Sequence, residues 1–378
     1  PPPPPPPPPT HTATPEIYTL TRSSAASDVY KRQMHALLAC KFGARKVYAV
    51  ETNDAIHLAR ELAVENGYAD RIEFIQAIST QVSLPEKADV IVSDLRGVLP
   101  LHGQHISHII DARSRFLAPG GVMIPRRDTI LVALVEAGEV YRDLTAPWDY
   151  PYGVSMTAAE KVVLNDWSDE NPEQFRKKSL LTEPQVWAEI DYWTVDSPGI
   201  SSAHIIQPAA RSGTAYGFLM WFDSEIAEGI RVSNHPGEEK VPKVYGCGFF
   251  PLLEPVAVLE GDTIEIDIQA PYSRDHYSWN WHTKIFSGDE RQEIKADFEQ
   301  STGFYETMEK AALDSTVLAL KPSRSETGDV DYFILGAMDG DQTIEQIANR
   351  VYKNFPARFK TQREAQRYVN ALSQDYHQ

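Results

Sequence analysis

Two carboxylates mark where chemistry is most readily built in this chain. Glu51 closes the apolar run KVYAVE (residues 46–51), and Asp94 closes ADVIVSD (residues 88–94). Both runs read as buried strands, and in a parallel sheet the carboxyl ends of the strands are where ligands bind. Beyond Asp94, LRGVLPLHGQHISHII carries His102, His105 and His108. A histidine near its free pKa suits proton removal, so His102 and His105 are candidate bases for a hydroxyl, amide or ring-nitrogen acceptor. Alternatively, all three are merely polar positions on a loop and the helix after it. Their spacing of three continues to Asp111 and suggests a metal series, but each step drifts by about 60° around a helix. Four such side chains do not converge, so no metal site is expected.

The elements that position the two acids are strands alternating with helices. TNDAIHLARELAVENG is an amphipathic helix behind KVYAVE, and RIEFIQA (residues 71–77) is a third strand. This order predicts an α/β fold with a Rossmann-like parallel sheet, assigned to residues 34–128. From Thr129 the pattern changes to strands: TILVALVEA, VWAEIDYWTV, AYGFLMWFD, PVAVLEGDTIEIDIQA and YSWNWHTKIF. They predict an antiparallel β-barrel over residues 129–290, interrupted at 158–181. A helical connector is expected over 291–324. Residues 325–378 show helical spacing in three segments broken by DGD and FPARFKT, and residues 341–343 open the second with polar groups.

With 378 residues there is room for two or three domains, and 42% hydrophobic content suffices for ordinary cores. A net charge of −17 argues against a nucleic-acid groove, which needs clustered Lys and Arg. The same charge suits a basic partner, or serves solubility alone. Cys40 and Cys247 are the only cysteines, so no disulfide framework is expected and a reducing cytoplasm fits. No apolar run approaches the roughly 20 residues of a membrane span, and no secretory signal is found.

KVYAVETNDAIHLARE, IEFIQAISTQVSLPEKADVIVSDLRG and RFLAPGGVMIPRRDTI follow one another in the order and spacing of the protein arginine methyltransferase family. IPRRDTILVALVEAGEVYRDLTAPW and YGVSMT extend the resemblance over residues 34–286. It implies a class I methyltransferase that uses S-adenosylmethionine on a peptide or protein side chain. It also implies that Glu51 accepts hydrogen bonds from both ribose hydroxyls, for which a strand-end carboxylate has two oxygens. Ile78, Ser79 and Thr80 fall where the family's loop closes over adenine, Thr80 replacing an acid. The family's first strand and glycine-rich turn have no counterpart ahead of MHALLACKFGARKVYAVE. Nine prolines and THTATPEIYTLTRSSAASDVYKRQ show no period, and TRSSAASDVYKRQ resembles translated sequencing-adapter readthrough. Residues 1–33 are therefore expected to be disordered or artefactual, with Met34 internal and half of the cofactor pocket absent.

The chain departs from the family twice near the acceptor. Arginine methyltransferases carry two glutamates on the loop after the second acidic strand; here the first is Asp94 and the second position is Gly103. Their Thr-His-Trp loop is matched by Lys243, Val244 and Tyr245. Tyr245, Trp279 and Trp281 are candidate walls of an acceptor pocket, although aromatics alternating in YSWNW also suit barrel packing. Asp94 is expected to orient the acceptor, with His102 as base. The 158–181 segment resembles in position the family's dimerisation arm, which implies a homodimer, or is a surface excursion. The D-G-x-x-T-x-x-x-I-A core of residues 325–378 resembles the PqqD-type domain, whose winged fold presents a leader peptide by strand addition. Two other readings stay open: a non-catalytic peptide-binding scaffold, and a methyltransferase of a small molecule or non-arginine acceptor.

Overall fold

The computed structural model describes residues 16–21, 29–149, 151–175, 179–237, 245–273, 275–291, 293–303, 323–324 and 326–376. Its first sheet is parallel and built from β1 (Glu16–Thr21), β2 (Lys46–Glu51), β3 (Ile72–Ile75), β4 (Ala88–Ser93) and β5 (Leu117–Ile124), in the order β3-β2-β1-β4-β5. Helices α1 (Val29–Lys41), α2 (Ala55–Glu65) and α3 (His105–Phe116) connect them. Alternate side chains of β2 supply two cores, as a strand covered on both faces requires. Val47 and Ala49 pack with Ala36, Cys40 and Ala63 on one side; Tyr48 and Val50 pack with Ile91, Ile106 and Ile109 on the other.

Strand β1 corrects the expectation that the first strand is missing, and within residues 1–33 the described residues 16–21 and 29–33 belong to β1 and α1. Thr21 pairs in register with Glu51, and Leu20 pairs with Ser93, so EIYTLT fills the centre of the sheet. Six residues show too little period to be read alone; partners on both sides define the strand. Residues 22–28, where the glycine-rich turn was sought, lie outside the described residues.

The second half of the large unit is two antiparallel sheets. In the six-stranded one, β6 (Arg127–Val135), β7 (Ser168–Glu170), β8 (Gln185–Asp191), β10 (Gly213–Ala227) and β12 (Cys247–Val258) run in the order β7-β12-β10-β6-β8, and β11 (Ile230–Ser233) pairs with β10. The four-stranded one is β17-β16-β13-β9, from β9 (Ile200–Pro208), β13 (Thr263–Ala270), β16 (Asn280–Phe286) and β17 (Ile294–Ser301). Tyr272–Ser273 and His276–Tyr277 form a small hairpin, β14 and β15. Aromatic contacts join the inner faces: Phe250 of β12 meets Trp281 of β16 at 5.3 Å between ring centroids, and Trp187 of β8 meets Trp279 at 5.5 Å. Among the described residues the strands do not close into the expected barrel, because no ladder hydrogen-bonds the two sheets together. Strand β17 also replaces the start of the expected helical connector: its backbone pairs along β16 from Phe286 to Asn280. Residues 304–322 of that connector lie outside the described residues.

The expected arm at 158–181 is woven into its own sheet. Within it, α5 (Thr157–Leu164), which follows α4 (Gly138–Thr145), leads to Trp167, which stacks on Phe250 at 5.9 Å, and β7 pairs with β12. Gln300 of β17 donates to the carbonyls of Leu164 and Pro251, anchoring the helix end from below.

The chain divides into two compact units, Pro1–Tyr305 and Glu306–Gln378. The described part of the second consists of helices Glu326–Leu335, Ile344–Asn354 and Gln362–Tyr376 around Val330, Ile334, Ile347, Val351 and Val369. Thr343 and Gln346 form a reciprocal capping box at the middle helix, as the polar opening predicts. No strand occurs among the described residues of this unit, so the winged edge expected there is not seen.

Candidate active site

Glu51 and Asp94 stand at the carboxyl edge of the same sheet, on either side of β1. Glu51 is 8% exposed. Its Oε1 accepts from the backbone N–H of Asn53 at 2.9 Å and from the Thr52 hydroxyl at 3.4 Å, so the turn that follows the strand fixes the carboxylate. On the neighbouring edge Ser79 opens a single 3₁₀ turn, Ser79–Gln81. Ser79 is buried, whereas Ile78 and Thr80 are exposed. Arg115 of α3 clamps this turn, donating to the Ser79 carbonyl at 2.7 Å and the Val82 carbonyl at 2.5 Å while gripping Asp111 in a fork. Asp111 is thereby a structural partner of Arg115 and not the end of a metal series.

The loop after β4 is pinned by apolar side chains. Leu95, Leu99 and Leu101 are buried in the main core, and Asn234, wholly buried, donates to the carbonyls of Val98 and Gly246. Gly97 adopts φ +67°, with the His102 ring packed against its backbone, so that a side chain at 97 would be strained and crowded. These constraints hold Asp94 beside Tyr245, whose hydroxyl donates to Asp94 Oδ1 at 2.5 Å. Arg96 Nε lies 3.5 Å from the same oxygen. Tyr245 thus contacts Asp94, whereas Lys243 and Val244 lie outside the described residues.

Sequence reasoning missed the most constrained side chain here, Arg96. It is 5% exposed, donates from Nη1 to Asp128 Oδ1 at 2.9 Å and to Ser224 Oγ at 2.6 Å, and lies over the rings of Phe222 and Tyr245. Burial works most strongly against its charge, but Asp128, Tyr245, Asp94 and Tyr192 together outweigh that effect and Arg96 stays protonated. Asp128 Oδ2 in turn accepts from the Tyr192 hydroxyl at 2.6 Å, and Tyr192 meets His105 Nε2 at 3.0 Å. Since the Tyr192 proton goes to Asp128, His105 Nε2 must donate, which leaves its buried Nδ1 without a partner. Burial, reinforced by Arg96, drops the His105 pKa to about 3, so this ring is neutral. It is a structural end of the network, and of the two alternatives offered for it the poised base does not fit. Burial likewise raises the pKa of the Tyr192 and Tyr245 phenols, which stay protonated. The available signal was Asp128 itself, an acid at the second position of β6, just ahead of the apolar run from Ile130 to Val135.

His102 is exposed, and His108 is buried on α3. Trp279 and Trp281 are each 2% exposed and lie in the aromatic layer between the two antiparallel sheets. They are core, and the expectation that they line an acceptor pocket is corrected: both rings pack against Phe250 of the facing sheet. Among the described residues, one group has metal-ligand spacing: His204, Glu265 and Asp267. His204 is already paired with both acids, and Glu265 also with Arg291.

Comparison with known proteins agrees with this architecture. Residues 126–284 match the family model described as the arginine methyltransferase oligomerization subdomain. The chain is 28% identical over 196 residues to probable protein arginine N-methyltransferase 6.2 of Oryza sativa subsp. indica, a match covering 51% of this chain and 50% of that protein. The chain thus spans about half the length of that curated relative. Among solved structures, the Trypanosoma brucei PRMT1 enzyme-prozyme heterotetrameric complex with AdoHcy resembles it with a TM-score of 0.64 at 18% identity, over 76% of this chain and 88% of that one. Arabidopsis thaliana protein arginine methyltransferase 10 gives a TM-score of 0.63 at 22% identity, over 77% and 89%. The parallel sheet followed by antiparallel sheets is therefore the α/β fold of solved arginine methyltransferases.

Proposed function

We propose that this protein is an S-adenosylmethionine-dependent methyltransferase that acts on a side chain of a peptide or protein. The observation that carries the reading is the placement of Glu51 and Asp94 at the carboxyl edge of one parallel sheet, with only β1 between their strands. The residues present fit the methyl donor: a mostly buried carboxylate suits a ribose diol, and Ile78 offers an exposed apolar side chain to a flat base next to the clamped Ser79 turn. When bound, S-adenosylmethionine supplies an electrophilic methyl group on a sulfonium. Glu51 holds the ribose, Ile78, Ser79 and Thr80 border the adenine, and Asp94 orients the acceptor, with Tyr245 fixing the carboxylate by its hydroxyl. In-line transfer needs little more than this positioning and the exclusion of water, which the buried leucines of the Asp94 loop favour. His102 is the remaining candidate for a base.

Several finer assignments accompany this reading. The helical C-terminal unit is a PqqD-like peptide-capture element; Tyr332, Leu335, Ile344 and Tyr352 are apolar or aromatic and exposed there. A homodimer is supported by the matched oligomerization subdomain and by exposed Tyr152, Val154 and Val162 beside and within α5. A cytoplasmic location fits two buried, unpaired cysteines, Cys40 and Cys247, and no helix among the described residues is long and apolar enough to cross a membrane.

Calorimetric titration with S-adenosylhomocysteine tests the cofactor reading: binding is expected, and Glu51→Gln should weaken it by about tenfold or more. Binding that is absent, or indifferent to Glu51, sinks it. Transfer of labelled methyl groups to a peptide library, lost on deleting residues 325–378, tests the assignment of the C-terminal unit.

A further inference from the structure

The outer face of the four-stranded sheet carries a group of side chains that the proposed reaction does not use. Strand β13 alternates: Ile264, Ile266 and Ile268 enter the core, so Glu265 and Asp267 point outward. On β9 the buried Ile205 leaves its neighbour His204 facing out as well, directly across the ladder from Asp267. Side chains opposite one another on paired strands, or two apart along one strand, are neighbours on one face, which brings the three together. His204 Nδ1 lies 2.8 Å from Asp267 Oδ1, and Nε2 lies 3.4 Å from Glu265 Oε1. Arg291 takes the other oxygen of Glu265, Oε2, at 3.3 Å.

We propose that His204, Glu265 and Asp267 form a surface site for a divalent transition-metal ion, zinc foremost. One ligand atom from each residue lies within 4.8 Å of the other two. Tetrahedral bonds of about 2.0–2.1 Å place neighbouring donor atoms roughly 3.3 Å apart, a spacing that the two His204 contacts bracket. The acids approach different ring nitrogens, so one carboxylate turns toward the other as the ion binds. Asp267, 41% exposed against 18% for Glu265, has the room to do so. Water fills the remaining position. The donor set selects the ion: an imidazole beside two carboxylates suits zinc, whereas magnesium and calcium favour oxygen alone. By holding Oε2, Arg291 leaves Oε1 for the ion and orients the carboxylate, as the outer partners of ligating acids do.

The neighbouring imidazole makes a contrast on the same face. His282 stands across from Asp267 on β16, but its Nε2 meets Asp297 at 2.5 Å, and the Lys284 ammonium lies 3.9 Å from that acid. A cation so close opposes a metal ion there. The site at His204 also has a structural consequence. Strand β9 is an edge of its sheet, and His204 is 63 positions from Asp267. An ion held by both ties the edge strand to its neighbour and favours the folded unit, which alone presents all three ligands together. None of this depends on the methyltransferase reading, since Glu51 and Asp94 belong to the parallel sheet.

The test is calorimetric titration of zinc chloride into the full chain, cleared of metal beforehand with a chelator. His204→Ala, Asp267→Asn and His282→Ala are measured beside it, with magnesium chloride as a second titrant. Wild type and His282→Ala should bind a zinc equivalent at micromolar affinity or tighter. His204→Ala and Asp267→Asn, on different strands, should each lose that equivalent or weaken it by about tenfold or more. Zinc should also raise the melting temperature of the wild type by a few degrees and leave that of His204→Ala unmoved. Absence of zinc binding to the wild type overturns the proposal, as does binding indifferent to both substitutions. Binding that His282→Ala removes and His204→Ala keeps moves the site elsewhere and overturns it too. Magnesium binding as tightly as zinc sinks the role of the imidazole.

Discussion

Glu51 and Asp94 occupy equivalent places, each at the carboxyl end of a strand in one sheet, yet they are held in opposite ways. Glu51 is fixed by donors one and two residues away, in the turn that continues its own strand. Asp94 is fixed by Tyr245, 151 positions later, and by Arg96, which depends on Asp128 and Ser224, 32 and 128 positions later. The cofactor edge is thus a local device and the acceptor edge a tertiary one. A local site tolerates change around it, whereas a site assembled from two sheets couples its chemistry to the stability of the whole unit.

Substitutions can break this contrast. Asp128→Ala removes the fully buried partner of Arg96 and leaves a guanidinium uncompensated, so urea unfolding should lose about 3–5 kcal/mol. Glu51→Ala, removing an acid at the sheet's rim, should cost less than about 1 kcal/mol. Equal losses would erase the distinction between the edges. The pH dependence sharpens it. His105 is neutral in the fold with its pKa lowered from 6.5 to about 3, so the unfolded chain binds its proton first. Its contribution is fully present above pH 6.5 and declines as pH falls toward about 3. In acid-unfolding curves followed by circular dichroism, His105→Gln should flatten that segment; an unchanged slope there shows that His105 is not what titrates. Tyr245→Phe deletes one hydrogen bond to an ionised carboxylate, with an expected loss of about 1–2 kcal/mol in thermal unfolding. A change of similar or smaller size is expected from Arg115→Ala. It frees the Ser79 turn at a cost of about 1 kcal/mol, and should lower S-adenosylhomocysteine affinity severalfold in the same calorimetric assay. Undiminished affinity would detach that turn from the cofactor edge.

The same division explains what could be read before the fold was known. KVYAVE declares both a buried strand and its terminal acid, because strand period and strand end are properties of neighbouring residues. ADVIVSD does the same for Asp94, but nothing near residue 96 says that an arginine will be buried there, since its partners lie in β6 and β10. Trp279 and Trp281 were visible as alternating aromatics, and only the facing sheet decides that they are core. IKADFEQS, taken as part of a helical connector, is a strand because β16 offers it an edge. EIYTLT was lost for the same reason in the first sheet: it is short, and two flanking strands give it its place. The antiparallel strands from Thr129 onward were legible, but not that they form two sheets in place of a closed barrel, which depends on how distant edges meet.

The chain-order of Arg96 and its partners also sets a timetable for synthesis. When a ribosome has released residues up to Ile124, the described parts of the parallel sheet and the surroundings of Glu51 are all available, but Asp128, Tyr192, Ser224 and Tyr245 are not yet made. A nascent domain at that stage carries Arg96 with no buried acid to receive it, and the Asp94 loop has reason to remain open to water. The cofactor edge can therefore mature during translation, while the acceptor edge must wait until β10 and the segment carrying Tyr245 have emerged and docked.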